Sequence, residues 1–187
     1  MENLTMEELE ANLALITQSP RDFGRLDLIV RRPAVDQREV LAEGTLDLRL
    51  GLAGDGWSAR KGLKMNGGLP NPDTQLTLMN SRVIALLAQT KERWPLAGDQ
   101  LFVDLDLSAA NLPPGTRLKI GSAVIEVTAK PHLGCAKFEE RFGRAAFLFV
   151  NGPSHKDLHL RGVNAKVVEP GLIHTGDSVV VIRETTG

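Results

Sequence analysis

The sequence predicts a mostly β fold, a largely antiparallel β-barrel carrying a few helices. Three observations predict it. Short stretches alternate apolar and polar residues with a period of two, as in Leu26, Leu28 and Val30 or Leu101, Val103, Leu105 and Leu107. Glycine and proline turn signals separate these stretches at short intervals. No strand–helix–strand alternation occurs, so a parallel doubly wound sheet is not expected.

Taken in order, Thr5-Met-Glu-Glu8 fits a capping box, and Leu9, Leu13 and Ile16 then recur at helical spacing. This short helix ends before Ser19-Pro20 and reads as an add-on, giving an N-terminal helical extension over 1–23 and a barrel domain over 24–187. The strand pattern starts at Gly24 and returns over Val40–Leu50. Gly51-Leu-Ala-Gly-Asp-Gly56 is a turn that needs glycine's left-handed freedom. Trp57–Asp73 is irregular and basic at Arg60, Lys61 and Lys64; a loop this long is more often functional or mobile than filler. Gln75–Met79 reads as a brief strand. Asn80 or Ser81 caps a helix to about Arg93, with Val83, Ile84, Leu86 and Leu87 on its buried side. Gln100–Leu107 is a strand, Leu118–Ile120 and Val124–Val127 form a hairpin, and Val163–Val168 and Val179–Ile182 are the closing strands. Ala145–Val150 is apolar and suits helix or strand. Pro170-Gly171 reads with the closing strands.

With 187 residues, 42% hydrophobic and 24% charged, the chain suits one domain or one domain with an appendage. The formal net charge of −1 argues against general nucleic-acid binding, as does the lack of alternating cations and aromatics. The acidic N-terminus is unlike a signal peptide, and no stretch is apolar enough to span a bilayer. One cysteine excludes an internal disulfide. These features predict a soluble, cytoplasmic protein without a membrane partner.

The chemistry concentrates in Thr128–Gly143. That stretch holds Cys135, the only cysteine, with Lys130, His132, Lys137 and Arg141, and Arg144 follows. Such local positive potential favours a thiolate, the form that attacks or ligates. Gly134 allows close backbone approach. The bland alternative is an inert thiol: Cys135, Phe138 and Phe142 share one helical face, so the sulfur could point into the core. Lys137, Arg141 and Arg144 fall at i, i+4 and i+7, either an anion-binding face or a solvated one partly neutralised by Glu139 and Glu140. His155 and His159 have metal-ligand spacing, but no third ligand is evident. Asp55 and Asp99 follow glycines and read as turn-fixing side chains. No Walker A loop, dinucleotide fingerprint, Cys-x-x-Cys or nucleophile elbow is present.

The order of several of these landmarks resembles the MOSC domain, named for the C-terminal domain of molybdenum-cofactor sulfurase. The resemblance runs through Gly51-Leu-Ala-Gly-Asp55, Leu76-Thr-Leu-Met79 with Ser81–Leu87, and Ala97-Gly98-Asp99-Gln-Leu101. It continues through Gly115–Gly121, Ala123–Thr128, the position of Cys135, Arg161-Gly-Val163 and Gly171 to Gly176-Asp177. It covers about Gly24 to Ile182. The chain departs at Asn66-Gly67-Gly68, where many members carry His-Gly-Gly, and it has no pyridoxal-phosphate desulfurase region and no ferredoxin-like tail.

The resemblance implies a stand-alone barrel that binds a molybdenum–molybdopterin cofactor. Cys135 is then a molybdenum ligand or a persulfide sulfur carrier, serving sulfur transfer or reduction of N-hydroxylated compounds. The anionic pterin cofactor would be held by Lys130, His132, Lys137, Arg141 and Arg161, with Arg60 and Lys61 as phosphate contacts or a lid. A separate cysteine desulfurase or electron-transfer protein would be the partner. Two alternatives stand beside this: sulfur transfer without molybdenum, and a non-catalytic ligand-binding barrel.

Overall fold

The structure is a computed structural model, and it describes residues 2–59 and 70–183. Eleven strands and four α-helices are present among them. In chain order these are α1 (Met6–Ala11), α2 (Leu13–Thr17), β1 (Phe23–Arg31), β2 (Glu39–Leu41), β3 (Glu43–Asp47) and β4 (Gly51–Leu52). Then come β5 (Leu76–Asn80), α3 (Ser81–Ala88), β6 (Leu101–Asp104), β7 (Arg117–Ile120) and β8 (Ala123–Val127). The last are α4 (Ala136–Asn151), β9 (Val163–Glu169), β10 (Gly171–His174) and β11 (Ser178–Ile182).

Seven strands close a barrel in the order β11-β7-β8-β9-β5-β6-β1, and β1 pairs back onto β11 through Phe23–Val180, Gly24–Val179 and Arg25–Ser178. Only β5 and β6 run parallel; every other neighbour is antiparallel. The expected barrel is therefore present. β2 extends the sheet beside β1, and β10, β3 and β4 form a small second sheet.

Two apolar layers follow from the strand period. Leu26, Leu78, Leu101 and Val103 join the cluster formed with β7, β8 and β9. Their neighbours Met79 and Phe102 join a second cluster with the helices, through Val83, Ile84, Phe138, Phe142 and Phe149, and Leu28 joins it too because a register shift between Leu26 and Leu28 switches the face. Strands β5 and β6 thus have both faces covered. The N-terminal helices belong to this second layer. The capping box forms as expected, with the Glu8 N–H donating to Thr5 Oγ1 and the Thr5 N–H to Glu8, and Leu9 is fully buried. Sequence alone marks this segment as an add-on, because a six-residue helix offers too few positions to show which face is covered.

Other differences have local causes. The expected Val40–Leu50 strand splits into β2 and β3 and then turns, because Asp47 Oδ1 accepts the N–H groups of Arg49 and Leu50. Asn80 caps α3 through the Arg82 and Val83 N–H groups. The helix stops at Ala88, where Gln89 turns left-handed, and a 3-10 helix over Lys91–Ala97 containing Pro95 replaces its expected last turns. Ala145–Val150 is helical, within α4. Gly171 opens β10, one of the closing strands. No helix among the described residues is long and apolar enough to cross a membrane.

Candidate functional site

Three crossings build the site. After β1 the chain passes through Arg32–Arg38 towards β2. The 3-10 helix ends at Gly98, whose φ of +88° turns the chain towards β6. The loop after β8 runs through His132 into Cys135, the N-cap of α4. Together they surround a cavity of about 670 Å³ whose lining includes Arg32, Arg38, His132, Cys135, Lys137, Arg141 and Arg161.

Cys135 is an exposed free thiol. Its backbone is extended, and its sulfur caps no helical N–H. The carbonyl of Cys135 accepts from the Phe138 and Glu139 N–H groups at 2.9 and 3.1 Å, which starts α4. Residue 135 thus lies outside the helix, so its sulfur does not follow Phe138 and Phe142, both 1% exposed, into the core. The approach to Cys135 is pinned. The Gly134 N–H donates to Asn151 Oδ1 at 2.9 Å, and Asn151 Nδ2 donates back to the Gly134 carbonyl at 3.3 Å. A β-carbon at Gly134 would lie 2.9 Å from Asn151 Nδ2, so glycine permits the clasp.

Behind the cavity lies a buried charged pair that the sequence did not reveal. Asp99 is fully buried, and its carboxylate accepts from Arg161 Nη1 at 2.7 Å and meets His132 Nε2 at 2.7 Å. It therefore organises the site instead of fixing its own turn. Burial works to raise the Asp99 pKa, but the Arg161 charge, with His132, overcomes this and holds it at about 2. Burial pushes the His132 pKa down, and the Arg161 charge adds to the effect against the pull of Asp99. His132 is neutral at pH 7 on this balance. Arg161 also donates to the Ala97 carbonyl at 3.0 Å and stacks over Phe138 at 4.8 Å. Its Nε is buried without a hydrogen-bond partner among the described residues.

Arg32 forms a matching pair on the other side. It grips Asp55 through Nε and Nη2, each at 2.9 Å, and donates to the Gly98 carbonyl at 2.6 Å. Asp55 also accepts the Trp57 N–H, so its expected turn role holds alongside the ion pair. Burial raises the Asp55 pKa, but the hydrogen bonds and charge of Arg32 bring it below the usual value. Arg38 donates to the carbonyls of Pro95 and Gln37. Its pKa is pushed down by burial and by the charges of Arg141 and Arg32. The cavity is locally short of negative charge around these guanidinium groups. Asp36, in a left-handed conformation, partly relieves it by accepting from Lys137 Nζ at 2.8 Å and Arg141 Nη2 at 3.0 Å.

Of the sequence-derived candidates, the structure brings Cys135, His132, Lys137, Arg141 and Arg161 around one cavity. Lys130 lies elsewhere: it sits in a bend over Ala129–Lys130, lines a second cavity and is absent from the first. Arg60, Lys61 and Lys64 lie outside the described residues. Arg144 leaves the shared face, since Gly143 breaks α4 with φ +87° and Arg144 pairs with Glu139. His155 bonds Glu10 and His159 bonds the Leu107 carbonyl, so they do not converge; His159 is itself left-handed, past the end of a 3-10 helix over Pro153–Leu158. Arg32, Arg38 and Asp36 were not singled out from sequence. Arg31-Arg32-Pro33 carried the only signal, a doubled cation where a strand stops.

A family model of the MOSC domain matches residues 71–180. No curated protein matches the chain. Among solved structures, the YUAD protein of Bacillus subtilis aligns with a TM-score of 0.58 at 18% identity, covering 85% of this chain and 95% of that one. YiiM from Escherichia coli aligns at 0.53 and 19%, covering 87% and 72%. YiiM from Geobacillus stearothermophilus aligns at 0.56 and 13%, covering 88% and 77%. At these identities the structures share the barrel. The domain match extends from before β5 into β11, takes in Cys135, Asp99 and Arg161, and so makes this chain a member of the MOSC domain family.

Proposed function

We propose that the chain binds a molybdenum–pterin cofactor in the cavity beside Cys135, with Cys135 as its sulfur ligand or as a persulfide carrier. The observation that carries this reading is an exposed, uncapped thiol in a cavity crowded by guanidinium groups. The donor set fits the group. A soft thiolate suits molybdenum, and forked guanidinium groups suit a phosphate. Among the described residues Arg38 pairs only with carbonyls, and the orphaned Nε of buried Arg161 adds a donor beside the cavity. Arg38, Lys137 and Arg141 would hold the phosphate end, while Asp99 fixes Arg161 and His132 in the wall. When bound, the cofactor would supply oxygen-atom or sulfur chemistry at its metal, with electrons coming from a separate electron-transfer protein. Cys135 would present its sulfur, and neutral His132 would offer its second ring nitrogen as an acceptor. The free thiol suits a reducing compartment, so we place the protein in the cytoplasm. Anaerobic reconstitution followed by metal analysis tests the ligand role: molybdenum should load onto wild type and be lost in Cys135→Ser. Equal metal in both overturns it.

Exposure of the sulfur also favours a second reading, sulfur transfer without metal. The Cys135 thiolate would attack the outer sulfur of a desulfurase persulfide. A new sulfur–sulfur bond forms on Cys135, the donor's own bond breaks, and the donor leaves as a thiolate. Non-reducing mass spectrometry after incubation with desulfurase and cysteine should show a gain of about one sulfur atom on Cys135. An unchanged mass counts against it.

A further inference from the structure

A second cavity lies behind the first. It has a volume of about 240 Å³, and His132, Leu133 and Arg161 line both. The two cavities thus share a wall built on the Asp99 ion pair. The second is made differently. Leu112, Val127, Val150 and Val163 supply apolar lining, all buried. Lys130 and Lys156 are also lining residues, and no Asp or Glu is among them. Among the described residues, neither lysine has a carboxylate within ion-pair distance. Arg161, whose Nε has no hydrogen-bond partner among the described residues, also borders the cavity, its charge paired with Asp99.

We propose that this cavity is a binding site for a small monocarboxylate with an apolar body, of the size of an aryl or branched-chain acid. Size and charge together select that class. An apolar cavity of about 150 Å³ holds one benzene ring, so this one has room for a ring and a substituent. Burying such a body against valine and leucine is favourable. A carboxylate offsets two lysines that no carboxylate among the described residues neutralises, whereas an amine would meet like charge. Two solvated surface lysines over a packing defect would show no preference for charge. The site does not depend on molybdenum or on Cys135, so it stands or falls separately from the function proposed above.

Methyl NMR of the full chain, titrated with sodium benzoate and separately with benzyl alcohol, tests it. Benzoate should give saturable shifts at the Leu112, Val127 and Val163 methyls in the millimolar range or tighter, with benzyl alcohol about tenfold weaker. Lys130→Ala with Lys156→Ala should remove that preference without disturbing the fold, since both lysines are exposed. Ala109→Phe, at a half-buried lining position, should block both probes. Cys135→Ser should bind benzoate as wild type does. Absence of saturable shifts at these methyls overturns the site. Equal binding of the two probes, or a preference that survives loss of both lysines, overturns the carboxylate class.

Discussion

Asn151, the last residue of α4, holds Gly134, which lies just ahead of that helix's N-cap, by two reciprocal hydrogen bonds. One side chain thus ties the end of the helix to the peptide in front of Cys135. Asn151→Ala removes both bonds and leaves a half-buried peptide group unmatched. It should cost about 1–3 kcal/mol in urea unfolding. Hydrogen exchange at the Gly134 amide should accelerate, while amides in β7 and β8 keep their protection.

Arg161→Ala should be among the most damaging substitutions. It leaves the fully buried Asp99 with His132 as its only side-chain partner among the described residues, a loss of about 3–5 kcal/mol for a broken buried pair. Denaturant titration measures it. Adding Asp99→Asn to Arg161→Ala should recover part of the loss, since the stranded charge is then gone.

Acid should weaken the fold in two steps. His132 has a folded pKa below its ordinary 6.5, so the unfolded chain binds the extra proton first and stability declines as pH falls below 6.5. Asp99 has a folded pKa of about 2 against 3.8, so its contribution is complete above 3.8 and is lost as pH falls towards 2. Unfolding free energy against pH should show both. His132→Gln should flatten the upper step and move the lower one up towards 3.8, because His132 helps hold the Asp99 pKa down.

Asp36 occupies two cations that face the cavity, and its hydrogen bond from Lys137 lowers its own pKa. Asp36→Asn should leave stability nearly unchanged, because the pair is exposed and asparagine also tolerates a left-handed backbone. It should strengthen binding of an inorganic anion. A sulfate-dependent rise in melting temperature, larger in Asp36→Asn than in wild type, checks this. An equal rise in both counts against a competing role for Asp36.

Much of the barrel was legible because strand alternation and turn residues are local signals. Leu101, Phe102 and Val103 carry their layer assignment in their order. Boundaries that depend on a single side chain were not legible: Asp47 folding onto Arg49 and Leu50, or Gln89 turning left-handed. Site legibility divides the same way. Cys135, His132, Lys137 and Arg141 lie within ten residues and could be grouped by eye. Arg32 and Asp55, or Asp99 and Arg161, are brought together by strand crossings 23 and 62 residues apart in sequence. Cys135 showed a helical spacing to Phe138 and Phe142, yet the helix begins one residue later, which reverses the direction in which the sulfur faces.

The ring of seven staves is sealed by the stave translated last. Until Ser178–Ile182 leave the ribosome, β1 and β7 each keep a row of peptide groups with no neighbour to receive them. The enclosed hydrocarbon therefore cannot be locked away while synthesis is under way, and the nascent protein passes through an open, adhesive stage. A version cut before Ser178 should stay in that stage and be recovered as aggregate.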